Sequence, residues 1–152
     1  MRTLGNILWH VPFLGFITSF FTFLIGGLFV ITVVGAPIGF GLIQLAKFFL
    51  APFSNAMVKK SDIKAEQPDA WQAYETLIRI LYFPFGLILA IITLTQIVAA
   101  FISIIGIPVA LAQAKSLKTL FNPVAKKCVS KAVSDEITSR KAKAEVDKTF
   151  AT

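Results

Sequence analysis

The stretch Thr32-Val33-Val34-Gly35-Ala36-Pro37-Ile38-Gly39 decides the reading of this chain, because it comes twice. After an offset of 71 positions the sequence reads Ser103-Ile104-Ile105-Gly106-Ile107-Pro108-Val109-Ala110. In both copies a β-branched apolar run meets Gly-x-Pro, and a second apolar segment follows. That segment carries a lysine at matching places, Lys47 and Lys118, and ends in a matching proline, Pro52 and Pro123. No gap is needed to align the copies. Proline removes a backbone donor and disfavours helical geometry in the residue before it, while glycine admits positive φ. Each Gly-x-Pro is therefore expected to break a helix and turn the chain, with Gly35, Pro37, Gly106 and Pro108 as the turn residues. Gly26-Gly27 competes as a turn, but its counterpart Ile97-Val98 cannot turn tightly, so that pair reads as a close-packing face between helices.

Around these turns the chain is too apolar for a soluble domain. Of 152 residues 56% are hydrophobic and 15% charged, where about 25% charged is usual; the mean hydropathy is +0.76. No formal charge lies between Thr3 and Ala46, or between Ile80 and Ala114. Both runs far exceed the roughly 18 residues that mark a transmembrane candidate. The sequence is that of an integral membrane protein. A cleaved signal peptide fits poorly, since the apolar run is too long and no small-x-small site interrupts it. Cys128 is the only cysteine, which excludes an intramolecular disulfide and a paired-cysteine metal site. Lysines 126, 127 and 131 beside it would lower its pKa. The plainer reading, which the sequence favours, is a small apolar residue at a helix end.

Outward from the turns, Pro12 to Val34 reads as one helix of roughly 34 Å, enough to span with some tilt, opened by a proline at its first position. Pro84 to Ile105 matches it in length. The short segments 37–53 and 108–124 follow the turns. Gln44, Lys47 and Ala51 form a thin polar or small stripe on the first; Lys115, Lys118, Thr119, Asn122 and Lys126 form a stronger one along and just beyond the second. The sequence leaves open whether these segments span, re-enter, or lie in the interface. Gln67-Pro68-Asp69-Ala70 reads as a helix start, with Pro68 at the first position and acid in the first turn, and Trp71, Tyr74, Ile78 and Tyr82 then share a face that reads as an aromatic belt. In the tail one helix is expected to about Arg140, with frayed residues beyond it.

The expected fold is an all-α integral membrane protein of two tandem repeats. Each repeat is a long transmembrane helix, a Gly-x-Pro turn and a shorter amphipathic or returning helix. The boundaries are 1–58 for the first hairpin repeat, 59–69 for a polar linker, 70–130 for the second repeat and 131–152 for a basic cytoplasmic tail. The hydrophilic pieces all carry Lys or Arg, so the positive-inside rule favours hairpins with both termini cytoplasmic. The repeats would then be parallel, related by an axis along the membrane normal, with each turn at the far interface or shielded by protein.

The motifs resemble those of the YccF family of small bacterial inner-membrane proteins. The likeness is carried by Asn6-Ile7-Leu8-Trp9, by Val33-Val34-Gly35-Ala36-Pro37-Ile38-Gly39, and by Gln44-Leu45-Ala46-Lys47-Phe48 with Leu50-Ala51-Pro52-Phe53. The second copy carries it through Ser103-Ile104-Ile105-Gly106-Ile107-Pro108-Val109, so that it extends over residues 4–130. The chain departs from the family in Ala36, in Leu77-Ile78-Arg79 where a second Asn-Ile-x-Trp would stand, and in its long basic tail. The resemblance implies the bacterial inner membrane and brings no catalytic residues.

Neither membrane run holds an Asp or Glu, which argues against a carboxylate relay or cation site in the bilayer. No paired acid, nucleophile with base, phosphate loop or metal-ligand cluster is present, so neither an enzyme nor a cofactor is expected. Two functional readings follow from Gln44, Lys47, Lys115, Lys118 and Asn122. Either these residues line a water-accessible path in a homo-oligomeric pore or transport component, with Gly26, Gly27, Gly35, Gly39 and Gly41 as close-approach surfaces. Or the lysines snorkel to lipid phosphates in a non-transporting scaffold, or in a regulatory partner whose basic tail contacts a cytosolic protein. The formal charge of +7 is assigned to anionic lipid rather than nucleic acid, because the basic residues of the tail are mixed with acids.

Overall fold

The computed structural model describes residues 2–11, 14–63 and 68–150. In chain order these form α1 (Arg2–His10), α2 (Gly15–Ile31), α3 (Ala36–Leu50), β1 (Asn55–Lys59), a 3-10 turn (Lys60–Ile63), α4 (Asp69–Ile102), a second 3-10 turn (Ile104–Gly106), α5 (Ile107–Phe121), β2 (Lys126–Ser130) and α6 (Lys131–Phe150). The chain is mostly helical. Among the described residues α4 alone is a single helix long and apolar enough to cross a membrane; α1 and α2, bent by 77° at the break between them, together pass the same test. The expected helix start at Pro12 lies outside the described residues.

The breaks between α2 and α3 and between α4 and α5 fall at Gly-x-Pro. Gly35 and Gly106 immediately precede α3 and α5, and Pro37 and Pro108 are the second residues of those helices. There a missing N–H has no intrahelical partner to lose. Positive φ falls elsewhere than expected, however: Gly35 and Gly106 have φ of −82° and −78°, and the left-handed residue of the first turn is Val33, φ 59°. What the glycines supply is room. A Cβ on Gly106 would press on the Ala100 carbonyl, and one on Gly35 would meet the Phe29 ring and Thr32 Oγ1.

The two-stranded sheet was not expected. β1 and β2 pair antiparallel, with Met57 opposite Cys128 at the centre. Beyond the strands, Lys60 N donates to Ala125 O and Lys131 N to Ser54 O, both at 2.9 Å. Met57 with Cys128, Lys60 with Lys131, and Ser54 with Ala125 are each 71 positions apart. The sheet therefore has a local two-fold axis through the Met57–Cys128 pair. Beneath it Leu45, Phe48 and Phe49 of α3 and Ala112 of α5 close with Trp9 into a buried core, flanked by Met57 and Cys128.

Three other features differ from the sequence reading. α4 begins at Asp69, as the helix start read at Pro68-Asp69 implies, but it runs unbroken through Pro84; only one donor is lost there, and the neighbouring residues are held by Tyr82 Oη on Leu120 O and by a ring contact of Phe83 with Phe121. α6 continues past Arg140 to Phe150, supported by a Glu136–Arg140 pair one turn apart and by Lys141 on Asp62. Cys128 lies within β2 rather than at a helix end. The aromatic belt is also used internally, since Ile78 is buried and Tyr82 is bonded to α5.

The two hairpin turns do not share a level. Tyr74 Oη lies 3.1 and 2.8 Å from the carbonyl oxygens of Val33 and Val34, so the first turn rests on the linker end of α4. The next residue, Glu75, pairs with Lys60 beside the sheet. The second turn follows the other end of α4, and from Tyr74 to Ile102 a helix rises about 42 Å. Of the two expected settings for a turn, the far interface or shielding by protein, the first turn has the latter, through Tyr74. The levels differ because α4 is unbroken: its polar end holds the first turn and its apolar end carries the second.

Candidate anion-binding cleft

The residues singled out from the sequence gather around the sheet, but they do not line one path. Gln44 Oε1 accepts from Cys128 N at 3.1 Å. Met57 and Cys128 form a non-hydrogen-bonded pair of the ladder, because the flanking bonds fall on the alternate residues. The Cys128 amide thus points out of the ladder, and Gln44 satisfies it. The residue 71 positions on from Gln44 is Lys115, which has no acceptor. Its Nζ turns to Pro52 O, 3.4 Å away, and stands 4.6 Å over the Phe53 ring. Lys47 is exposed at the end of α3 and borders an apolar groove against α2. Lys118 is exposed in the last turn of α5. Between α3 and α5 lie Leu45, Phe48 and Ala112, buried and apolar, so within one chain no polar stripe faces another across water.

Nor are the glycines free for a partner. Gly26 and Gly39 meet across α2 and α3, and Gly41 lies against the backbone of Pro123. The expectation that they serve oligomer contacts is corrected for these three and for Gly35, which are buried within the chain; a Cβ on Gly27 would meet nothing within 4 Å.

Sequence reasoning did not find the cleft that the sheet forms with α4. It encloses about 430 Å³ and is lined by Lys59, Lys60 and Ser61 after β1, by Gln72, Glu75, Thr76 and Arg79 of α4, and by Asn122, Val124, Ala125 and Lys126 leading into β2. Of the residues on the expected polar stripes Asn122 and Lys126 line it, Asn122 with Oδ1 accepting from Val124 N at 3.2 Å. Four cationic side chains stand there with one carboxylate. That carboxylate, Glu75, is buried and accepts from Lys60 Nζ at 3.2 Å and Trp71 Nε1 at 2.9 Å. Among the described residues no carboxylate lies within ion-pairing distance of Arg79 or Lys126. Burial lowers the Lys126 pKa from its ordinary 10.5, and the charges of Lys59, Arg79 and Lys118 lower it further against the opposing pull of Asp62. Ala125, at the foot of the cleft, holds a left-handed φ of 57°, a conformation unusual for a residue with a Cβ. One signal in the sequence pointed here: Arg79 is the last charge before the uncharged run, and Lys126 the second residue after Val124 and the paired Pro123.

The thiol within β2 behaves unlike the lysine-activated one that the sequence allowed. Burial raises the Cys128 pKa, and the opposing charge of Lys47 is the smaller effect. Among the described residues there is no group of three His, Cys, Asp or Glu able to hold a metal ion.

Residues 4–55 match the family model YccF, described as an inner membrane component domain. Over this stretch, about a third of the chain, the sequence is similar to YccF domains. The matched residues run from α1 to the first residue of β1, so this YccF stretch includes Asn6, Trp9, the Gly35-x-Pro37 turn, Gln44 and Lys47. The family description indicates an inner-membrane component, and the length and apolar composition of α4 agree with a membrane protein. No curated protein and no solved structure matches the chain.

Proposed function

We propose that the protein is a non-transporting inner-membrane scaffold that presents a basic, sheet-built platform at the cytoplasmic surface. In this reading α4 crosses the bilayer through its uncharged 80–102 segment and α5 returns beside it. The α2–α3 hairpin re-enters from, or lies along, the cytoplasmic interface. The chain is two copies of one hairpin-and-strand unit that meet at the sheet's two-fold axis, and both termini are cytoplasmic. No catalysis and no cofactor belong to this reading.

The single observation that supports it best is where the lysines go. The sides of α3 and α5 that face each other are apolar and buried, while Lys47, Lys115 and Lys118 emerge around the strands, where Lys59, Lys60, Lys126 and Lys127 add to them. A collar of ammonium groups at the end of short apolar helices suits anionic headgroups, each basic residue near such a surface contributing about 1 kcal/mol. A homo-oligomeric pore would need a surface other than the close-packed glycines, which are occupied within the chain.

The test is reconstitution of the purified protein into bilayers containing phosphatidylglycerol. No anion or cation current above the protein-free bilayer is expected. A conductance whose selectivity changes in Lys118→Ala would sink the scaffold reading and restore the pore. In cells, cysteine placed at Ser61 or Ser139 is expected to resist an impermeant thiol reagent from outside; labelling there would reverse the orientation.

A further inference from the structure

We propose that the cleft between α4 and the start of β2 is a phosphate-binding site, with Arg79 and Lys126 as its principal ligands and Lys59 and Thr76 beside them. The site deepens the scaffold reading and rests on its cytoplasmic surface, but it makes a separate claim: a defined pocket rather than a diffuse basic face.

The geometry favours an anion with several acceptor oxygens. The cleft has room for a phosphoryl group with part of what it is attached to. Its cations come from three separate elements: Lys59 from β1, Arg79 from α4 and Lys126 from β2. Arg79 offers a planar fork of donors suited to phosphate, Lys126 a point charge, and Thr76 a hydroxyl. Like charges held together in a half-buried setting are unfavourable unless an anion joins them. Burial is the larger cause of the lowered Lys126 pKa, with the charges of Lys59, Arg79 and Lys118 adding to it against Asp62, and the buried Glu75 is already engaged by Lys60 and Trp71.

The other half of the chain shows how such a place is otherwise closed. Seventy-one positions before Val124 and Ala125 stand Phe53 and Ser54. There Asn6 of α1 fills the corner, its Oδ1 accepting from Phe53 N at 3.1 Å and its Nδ2 donating to Ser54 Oγ at 2.9 Å. The residue that would do this against Val124 and Ala125 is Leu77, which is 63% exposed. α4 runs straight on instead of folding over, and the corner stays open with Thr76 and Arg79 on its wall.

Phosphate could come from an anionic lipid headgroup or from a free phosphate compound, and the experiment separates them. The full-length protein in a neutral detergent is titrated with inorganic phosphate, with dihexanoyl phosphatidylglycerol and with dihexanoyl phosphatidylcholine. Binding is read by phosphorus NMR line broadening and by Trp71 fluorescence. The variants are Arg79→Gln with Lys126→Gln, the conservative Arg79→Lys with Lys126→Arg, and, as a control of equal charge loss, Lys127→Gln with Lys143→Gln. Thermal unfolding checks that each is folded. The glutamine pair is expected to weaken binding by roughly tenfold or more, since it removes two charge-assisted contacts. The conservative pair should largely restore it and the control should stay within about twofold, because a screened exposed charge contributes little. Saturation by inorganic phosphate assigns a soluble ligand, and saturation by phosphatidylglycerol alone assigns a lipid. Equal weakening by the glutamine pair and the control, or no saturable binding of either anionic probe to the parent protein, overturns the site. Neither result bears on conductance, so the scaffold reading stands or falls separately.

Discussion

Two stretches occupy the same place in the 71-residue frame and behave differently. α1 and α2 are separate helices set at 77°, whereas the corresponding residues of α4 form one continuous helix from Asp69 to Ile102. The difference traces to three polar side chains. Asn6 bonds Phe53 N and Ser54 Oγ, Trp9 Nε1 donates to Phe49 O at 2.8 Å, and His10 Nε2 stands 2.7 Å from Leu50 O. Together they lay α1 across the C-terminal end of α3, where helix carbonyls lack intrahelical partners. Their counterparts are Leu77, Ile80 and Leu81, which can bond none of these groups. With nothing to hold a bend, the second copy extends as a helix, and the corner that Asn6 fills in the first copy is left as a cationic cleft.

The largest effect is expected where the copies differ by one methyl. Gly41 corresponds to Ala112, and a Cβ on Gly41 would run into the Pro123 carbonyl. Because the obstacle is backbone, Gly41→Ala should destabilise the protein by about 1–3 kcal/mol through overpacking. Gly27→Ala is the control: the site is open, and removing a helical glycine should stabilise by up to roughly 1 kcal/mol. Thermal unfolding in one detergent checks both. Equal melting temperatures for the two variants would mean that α3 does not approach Pro123 this closely.

Next comes the bend itself. Giving the first copy the second copy's residues, Asn6→Leu with Trp9→Ile, removes the bonds to Phe53, Ser54 and Phe49 and leaves a buried carbonyl unpaired, at about 1–3 kcal/mol for the unpaired group. α1 should swing away from α3. Spin labels at Leu4 and Leu50 would report a longer distance between them. An unchanged distance would show that the bend is set by something other than these side chains.

Much of this architecture was legible in the sequence, for reasons that also mark where legibility stopped. Gly-x-Pro acts within a single helical turn, so both breaks could be placed from local chemistry. The strands could not. Asn55–Lys59 and Lys126–Ser130 are five residues each, mostly polar or small, and each is satisfied only by a partner 71 positions away. The start of α4 was legible in Pro68-Asp69, but its continuity was not, because Pro84 was taken to open a separate span, although one lost donor within a well-packed helix is tolerable. Lys47, Lys115 and Lys118 stood out in the sequence, but their direction depended on the unseen sheet. The cleft was hidden for the same reason, since Arg79 and Lys126 acquire meaning only when β2 is brought beside α4.

Cys128 sharpens the comparison at the sheet's axis, where its partner in the frame is Met57. Because burial raises the thiol pKa, little thiolate exists near neutrality, and alkylation should be slow. Its rate should keep rising with pH beyond the ordinary cysteine value of 9.0 instead of levelling there. Gln44→Ala, which removes the acceptor for the Cys128 amide, should loosen β2 and speed the reaction. Rapid alkylation of the parent protein near pH 7 would mean that the strand pair opens readily or that the lysines dominate after all.

The smallest effect concerns α6, which has no buried residue and is tied back at its middle by Lys141 Nζ on Asp62 at 2.6 Å. The Lys141 hydrogen bond is the main cause of a lowered Asp62 pKa, with the Lys141 charge and Lys59 helping and burial opposing. A carboxylate whose folded pKa lies below its ordinary 3.8 adds stability that is fully present above that value. The contribution is lost as pH falls through the depressed folded value. The tether should therefore hold at neutral pH and release only in acid. Lys141→Ala should cost no more than about 1 kcal/mol, as for other partly exposed pairs, and leave global unfolding nearly unchanged. Amide exchange should be the sensitive readout, faster at 141–150 in the variant at pH 7, with parent and variant converging in acid. Should exchange over those residues be the same in both proteins at pH 7, the second half of α6 is held by its own i,i+4 contacts and owes nothing to the turn after β1.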